Sequence, residues 1–269
     1  MFSLRILIPA AVVVLWALMA VLSQTLNLHP DFIQLEKILH TTDAQSWLGY
    51  DDLGRPIWDR LLVGAYTSFV TALGVVSISL VTGTFLGVVA AYAGGIWDHL
   101  LVRIIDVFLA FPGILLAIAL AGILGPGIDN VIIALSVVGW VGFARLTRAQ
   151  VLTIKHREHV QAAVAMGCRK GRIVVRHLIP LISAPLIIEA TFAVAAVVIG
   201  EAGLSFLGLG VQPPEASWGS MIRDGARYLL VAPHMVLIPS VALMLVVLAV
   251  NLLGDRLRDH LDVRELGRV

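Results

Sequence analysis

The chain has 269 residues, of which 59% are hydrophobic and 14% charged, with a mean hydropathy of +0.93 and a formal net charge of +1. A soluble core of this size cannot hide so much apolar surface, so the natural solvent is a bilayer. The single cysteine, Cys168, excludes an intrachain disulfide and a multi-cysteine metal centre.

A run of about 20 apolar residues crosses the hydrocarbon as a helix, because only a helix satisfies its own backbone there. Six spans are predicted, at about 6–23, 68–92, 104–124, 130–146, 182–204 and 231–252. The fold class expected is therefore all-α, a polytopic membrane protein with six transmembrane helices. The first run stands where a signal peptide would, but its apolar region is long and no A-x-A site follows, so it reads as a retained anchor. Residues 1–67 form an N-terminal anchor helix and outer segment, and residues 68–269 a five-helix core.

Lysine and arginine set the orientation. With the N-terminus inside, segments 1–5, 93–103, 145–181 and 253–269 face the cytoplasm and carry 14 of the 19 basic residues. The outer segments hold Lys37, Arg55, Arg60, Arg223 and Arg227. Both termini then lie in the cytoplasm. Residues 24–67 are long and acidic, and in 205–230 Gly208, Gly210, Pro213 and Pro214 end the fifth span and turn the chain. Trp47, Trp58, Trp218 and Tyr228 suit a membrane interface, so both segments read as interfacial packing or as substrate contact.

The inner segment between spans four and five carries Arg145, Arg148, Lys155, Arg157, Arg169, Lys170, Arg172 and Arg176. Attraction to anionic headgroups accounts for the charge but not for the pattern. Residues 157–166 favour a helix, and His159, Ala162, Ala163 and Met166 fall at i, i+3, i+4 and i+7 on one small-residue face. Gly167 stops that helix. A second amphipathic helix follows, with Ile173, Val174 and Leu178 opposed by Arg169, Arg172 and Arg176, and Pro180 suits the first turn of span five. The result is a helix–turn–helix bracket at about 157–178.

Gln161, Ala162 and Ala163, then Gly167, then HLIP at 177–180 resemble the EAA loop of ABC importer permease subunits. Gln161 stands where that family usually has glutamate, so a neutral hydrogen bond replaces a salt bridge. LGYDDLGRPIWDRLLVGA at 48–65, VRIIDVFLAFPGILLAI at 102–118, EAGLSFLGLGVQPPEASWGSMI at 201–222 and NLLGDRLRDHLD at 251–262 resemble the dipeptide, oligopeptide and nickel branch, in its C-type subunit. Tyr50 and Pro56 depart from the usual threonine and aspartate. The resemblance implies a type I ABC importer permease fold in a bacterial or archaeal inner membrane. It implies an ATPase-coupling site at His159, Gln161, Ala162, Ala163, Met166, Gly167 and Arg169. It also implies a homologous second permease, two cytoplasmic ABC ATPase subunits and a periplasmic or lipid-anchored solute-binding protein. The cargo class is dipeptides, oligopeptides, or nickel and its chelates.

No G-x-x-x-x-G-K-[ST] occurs, so ATP and Mg are expected on the partner ATPases, with no cofactor and no enzyme activity in this chain. The eight histidines form no H-E-x-x-H pair, and His156 and His159 read as solvated or interface residues. An intramembrane hydrolase would draw on Ser205 and His234, but GLSF lacks the second glycine of a nucleophile elbow. A passive channel or scaffold accounts for the spans and leaves the bracket idle. Carboxylates within the spans are costly, so Asp106, Glu189 and Glu201 should face a bundle interior or a wet cavity. Asp106 has Arg103 one turn away. Glu189 and Glu201 read as translocation-pathway lining, in contact with a peptide amino group or a cationic chelate, or else as helix-packing hydrogen bonds.

Overall fold

The computed structural model describes residues 4–43 and 46–266; parts of the 1–5 and 253–269 segments expected in the cytoplasm lie outside the described residues. Among the described residues there is no strand, only one isolated bridge between Tyr50 and Pro56. The helices are α1 (Leu4–Leu22), α2 (Ile57–Ala93), α3 (Gly95–Leu109), α4 (Gly113–Leu124), α5 (Ile128–Ile154), α6 (Glu158–Ala165), α7 (Lys170–Ile173), α8 (Ile179–Phe206), α9 (Trp218–Ala226) and α10 (His234–Leu266). A π-helical turn, Val174–Leu178, joins α7 to α8 without a break.

Among the described residues four passages are long and apolar enough to cross a membrane: α2, α5, the run Lys170–Phe206, and His234–Leu261 of α10. The apolar part of α1, Ile6–Leu22, is shorter. The third expected span is corrected. Residues 104–124 are not one straight helix but belong to α3 and α4, which meet at 83°. Pro112 is the reason: it disfavours helical geometry at Phe111 and supplies no N–H. The amide of Ala110 still donates to Asp106, and the next turn restarts with Leu115 and Leu116 donating to the Pro112 carbonyl. Asp106 and Arg103 both lie exposed on α3.

α2 and α5 pack at backbone contact. A Cβ on Gly83 would lie 2.4 Å from the Trp140 carbonyl oxygen, and one on Gly87 would lie 2.7 Å from that of Ala144. Small residues one turn apart permit the close approach that drives helix association in lipid. One apolar cluster gathers Val88, Val151, Val160, Ala163, Ile173 and Leu178 beneath the bracket. A second, at the opposite end, gathers Trp16, Ile57, Leu61, Trp218 and Met235.

Trp218 belongs to that core and not to an interface, which corrects the expectation from sequence. It is 1% exposed, its Nε1 donates to the Leu61 carbonyl at 3.0 Å, and its ring centroid lies 6.5 Å from that of Trp16. Trp47 and Trp58 are exposed. Residues 205–230 contain a helix not expected from hydropathy, α9, whose start is fixed by a reciprocal capping box between Ser217 and Ser220. Thr67 Oγ1 donates to the Ala216 carbonyl at 2.9 Å and pins this segment to α2. In residues 24–56 Asp51 is the hub. It accepts from the amides of Leu53 and Arg55 and from Arg55 Nε at 2.7 Å, and Arg60 Nε lies 3.5 Å away.

Candidate functional site

The bracket is built from the end of α5. Lys155 Nζ reaches back to the Ala91 carbonyl of α2 at 2.9 Å, and Gln161 Nε2 donates to the Lys155 carbonyl at 3.1 Å. The neutral hydrogen bond of Gln161 thus closes the bracket on itself. α6 ends where Gly167 adopts φ +76°, with the amides of Gly167 and Cys168 donating to Val164 and Ala163. A left-handed C-terminal cap is the conformation glycine supplies at least cost.

The expected four-residue face divides. Ala163 is 1% exposed and packs inward with Val160 and Ile173, whereas His159, Ala162 and Met166 point outward. Val160 and Ile173 settle the rotation of α6, because burying two branched side chains outweighs exposing alanines. Gln161, Gly167 and Arg169 are exposed with them. Met166 is 76% exposed, and Val164 joins it at the tip; sequence analysis missed Val164, whose signal is a β-branched residue one turn from Gln161. The His159 and His177 rings stand 6.3 Å apart, so the second half of the bracket folds back on the first.

That second half is not an independent helix. α7, the π turn and α8 form one continuous rod, with the Ile179 amide donating to the Val174 carbonyl. The wider turn fits a helix that must pass a proline, since Pro180 offers no donor to the turn before it. Ile173 and Leu178 are buried, and Arg169, Arg172 and Arg176 exposed, as their spacing predicts.

The two carboxylates of α8 part company. Glu201 is 2% exposed and accepts hydrogen bonds from Ser68 Oγ at 3.0 Å and Ser205 Oγ at 2.7 Å. Its geometry is that of a packing contact between α2 and α8. Glu189 is half-buried and lines a cavity of about 410 Å³ walled by α2, α4, α5 and α8. Ser205 and His234 do not meet: Ser205 donates to Glu201, and His234 Nε2 faces the Tyr50 carbonyl at 3.3 Å.

Residues 83–266, from the middle of α2 through the bracket to the end of α10, match the family described as binding-protein-dependent transport system inner membrane component. The chain belongs to this family. Over 224 residues it is 43% identical to the dipeptide transport system permease protein DppC of Alkalihalophilus pseudofirmus, a match covering 83% of this chain and 74% of that one. Over 237 residues it is 40% identical to the glutathione transport system permease protein GsiD of Escherichia coli, covering 88% and 78%. A solved structure of the MetNI methionine ABC transporter in inward-facing conformations superposes with a TM-score of 0.61 at 22% identity, covering 76% of this permease and 96% of that chain. The permease thus has the all-helical type I ABC importer fold, and the expected family and membrane-embedded role are borne out. It is a multi-pass inner membrane protein and the permease component of its system.

Proposed function

We propose that this permease forms half of the pathway of an ATP-driven importer for peptides or related small solutes, and that its 157–178 bracket carries the ATPase stroke into the membrane. One observation carries the reading. The bracket is the stretch of chain that joins α5 to α8, it is anchored to α2 through Lys155, and it ends in an exposed tip of Ala162, Val164 and Met166. A push on that tip is a push on the continuous rod that bears both Glu189 and Glu201. Rocking of packed helices around a central site is how transporters expose a pathway alternately to each side.

In this reading His159, Gln161, Ala162, Met166, Gly167 and Arg169 meet a cytoplasmic ATPase, and Ala163 supports them from behind. Two ATPases bind ATP and Mg, a homologous second permease completes the pathway, and a solute-binding protein docks on the outer segments around 24–56 and 207–230. Residues 1–67 act as anchor and outer segment, residues 68–269 as the core, and both termini are cytoplasmic. Cargo of the dipeptide or glutathione type is supported by the names of the similar permeases.

The test is reconstitution with the partner subunits in liposomes. Peptide captured by the binding protein should stimulate ATP hydrolysis and enter the lumen, and Ala162→Asp should abolish both while the complex still inserts. A chain that needs no ATPase for uptake would support a passive channel instead. For topology, Lys170→Cys in a Cys168→Ser background should react with an impermeant maleimide only from the cytoplasmic side.

A further inference from the structure

The cavity beside Glu189 has a chemistry that packing does not explain. Glu189 lies near the middle of the continuous run Lys170–Phe206, with 19 residues before it and 17 after it, so it falls near the middle of a span that crosses the hydrocarbon core. Its carboxylate has no hydrogen-bond or ion-pair partner among the described residues. Opposite it stands α5 with two glycines one turn apart. A Cβ at Gly142 would lie 3.2 Å from Glu189 Oε1, and a Cβ at Gly139 would lie 2.6 Å from Ser79 Oγ. Ser79 is 1% exposed, lines the same cavity, and its hydroxyl has no partner either.

A half-buried carboxylate with no protein partner among the described residues and a fully buried hydroxyl with no hydrogen bond thus lie against neighbouring positions of one glycine face. The Cβ sites of those two glycine positions are about 5–6 Å apart. The other walls are apolar, including Val75, Val138, Phe143 and Phe192. An unpaired carboxylate at this depth is costly, and a buried hydroxyl without a partner adds to that cost. Both deficits are met by one species, a cation with several N–H donors. A divalent metal is the poorer match, because one carboxylate and one hydroxyl would leave most of its coordination shell to water between apolar walls. A primary ammonium on an aliphatic stem fits, since it brings three donors and an apolar body. The volume lies within the range of small-molecule sites.

We propose that this cavity is a transit site for a primary ammonium group, with Glu189 as counter-ion, Ser79 as neutral acceptor, and Gly139 and Gly142 as the gap that admits it. The inference deepens the importer reading and rests on it: the group recognised is the protonated amino terminus of the solute. Glu201, on the same helix, is satisfied by its two serines and takes no part.

The test is a chemical footprint on the assembled transporter in liposomes, read residue by residue by mass spectrometry. A hydrophobic carbodiimide should modify Glu189 and not Glu201. n-Propylammonium at about nine times its dissociation constant should slow the total modification of Glu189, acylurea and propylamide products counted together, about tenfold, and n-propanol at the same concentration should not. Ser79→Ala should keep the labelling and weaken the protection. Absence of labelling at Glu189, equal slowing by the alcohol, or slowing unchanged in Ser79→Ala would each overturn the site. Uptake of a free-amine dipeptide by the wild-type transporter is measured alongside. Protection without uptake keeps the site and refutes the peptide reading; uptake without protection does the reverse.

Discussion

Arg148 on α5 grips Asp98 on α3 through two hydrogen bonds, Nε to Oδ1 at 2.6 Å and Nη2 to Oδ2 at 2.8 Å. Asp98 sits in the first turn of α3, where the helix dipole favours a negative charge, and Arg148 lies two turns before the bracket. The fork geometry makes the pair directional, so it fixes the elbow after Gly94 to the root of the bracket. A double-mutant cycle of Asp98→Ala and Arg148→Ala should show a coupling of about 1 kcal/mol in detergent unfolding, reduced by salt because both side chains are partly exposed. Additive effects at low salt would mean that the pair only decorates the surface.

Neighbouring alanines should behave as opposites. Ala162 is exposed and Ala163 buried. Ala162→Asp should change stability by no more than about 0.5 kcal/mol, yet block ATPase-coupled uptake. Ala163→Asp places an unpaired carboxylate between Val160 and Ile173 and should destabilise the chain by about 3 kcal/mol or more. Thermal melts of the purified permease, paired with uptake assays, separate the two. Equal melting temperatures for both variants would show that α6 is rotated from the orientation described.

How much of this was legible in the sequence varies with the kind of signal. The spans in α2, α5, α8 and α10, the Gly167 cap and the basic bracket were readable because hydropathy, a left-handed turn and charge placement are local, whereas of the six spans expected the first falls short in length and the third is bent. The break between α3 and α4 had its signal in Phe111-Pro112, but an apolar run on both sides hid it from a hydropathy reading. The rotation of α6 was not legible. Alanine is equally at home in or out, and the deciding partner of Val160 is Ile173, across the turn. Glu189 and Glu201 are the same residue on the same helix. What separates them is Ser68, 133 positions before Glu201, and Gly142 on α5, neither of which a single stretch of sequence brings into view.

The carboxylate of Glu201 should tolerate loss of charge but not loss of its oxygens. Glu201→Gln keeps an acceptor, and the hydroxyls of Ser68 and Ser205 can rotate to suit the amide. Folding and uptake should stay near wild type. Glu201→Ala strands two buried hydroxyls and leaves a void, a destabilisation of about 3 kcal/mol. The contrast with Glu189→Gln, which should impair uptake with little effect on melting, is the informative one. If Glu201→Gln abolished transport in a well-folded chain, Glu201 would belong to the pathway after all.

Asp52 offers a pH test in the segment that precedes α2. Burial raises its carboxyl above the usual carboxylate range, and Asp51 pushes the same way, with Arg55 opposing in part. Its Oδ1 is buried without a hydrogen bond, and Arg55 Nη2 stands 3.7 Å off. Because the folded value is raised, the native state holds this proton more tightly than the unfolded chain. Stability from this group is therefore complete below the unfolded value of about 3.9 and is lost as pH rises through the folded one. Asp52→Asn removes that penalty. It should raise the melting temperature by about 2 °C at pH 8, a small step because the side chain is partly solvated, with the difference shrinking to nothing as the pH falls toward 4. Melting curves of both proteins across that range decide it. A lower melting temperature for the asparagine variant at pH 8 would mean that the charge of Asp52 is held by Arg55 more strongly than burial opposes it.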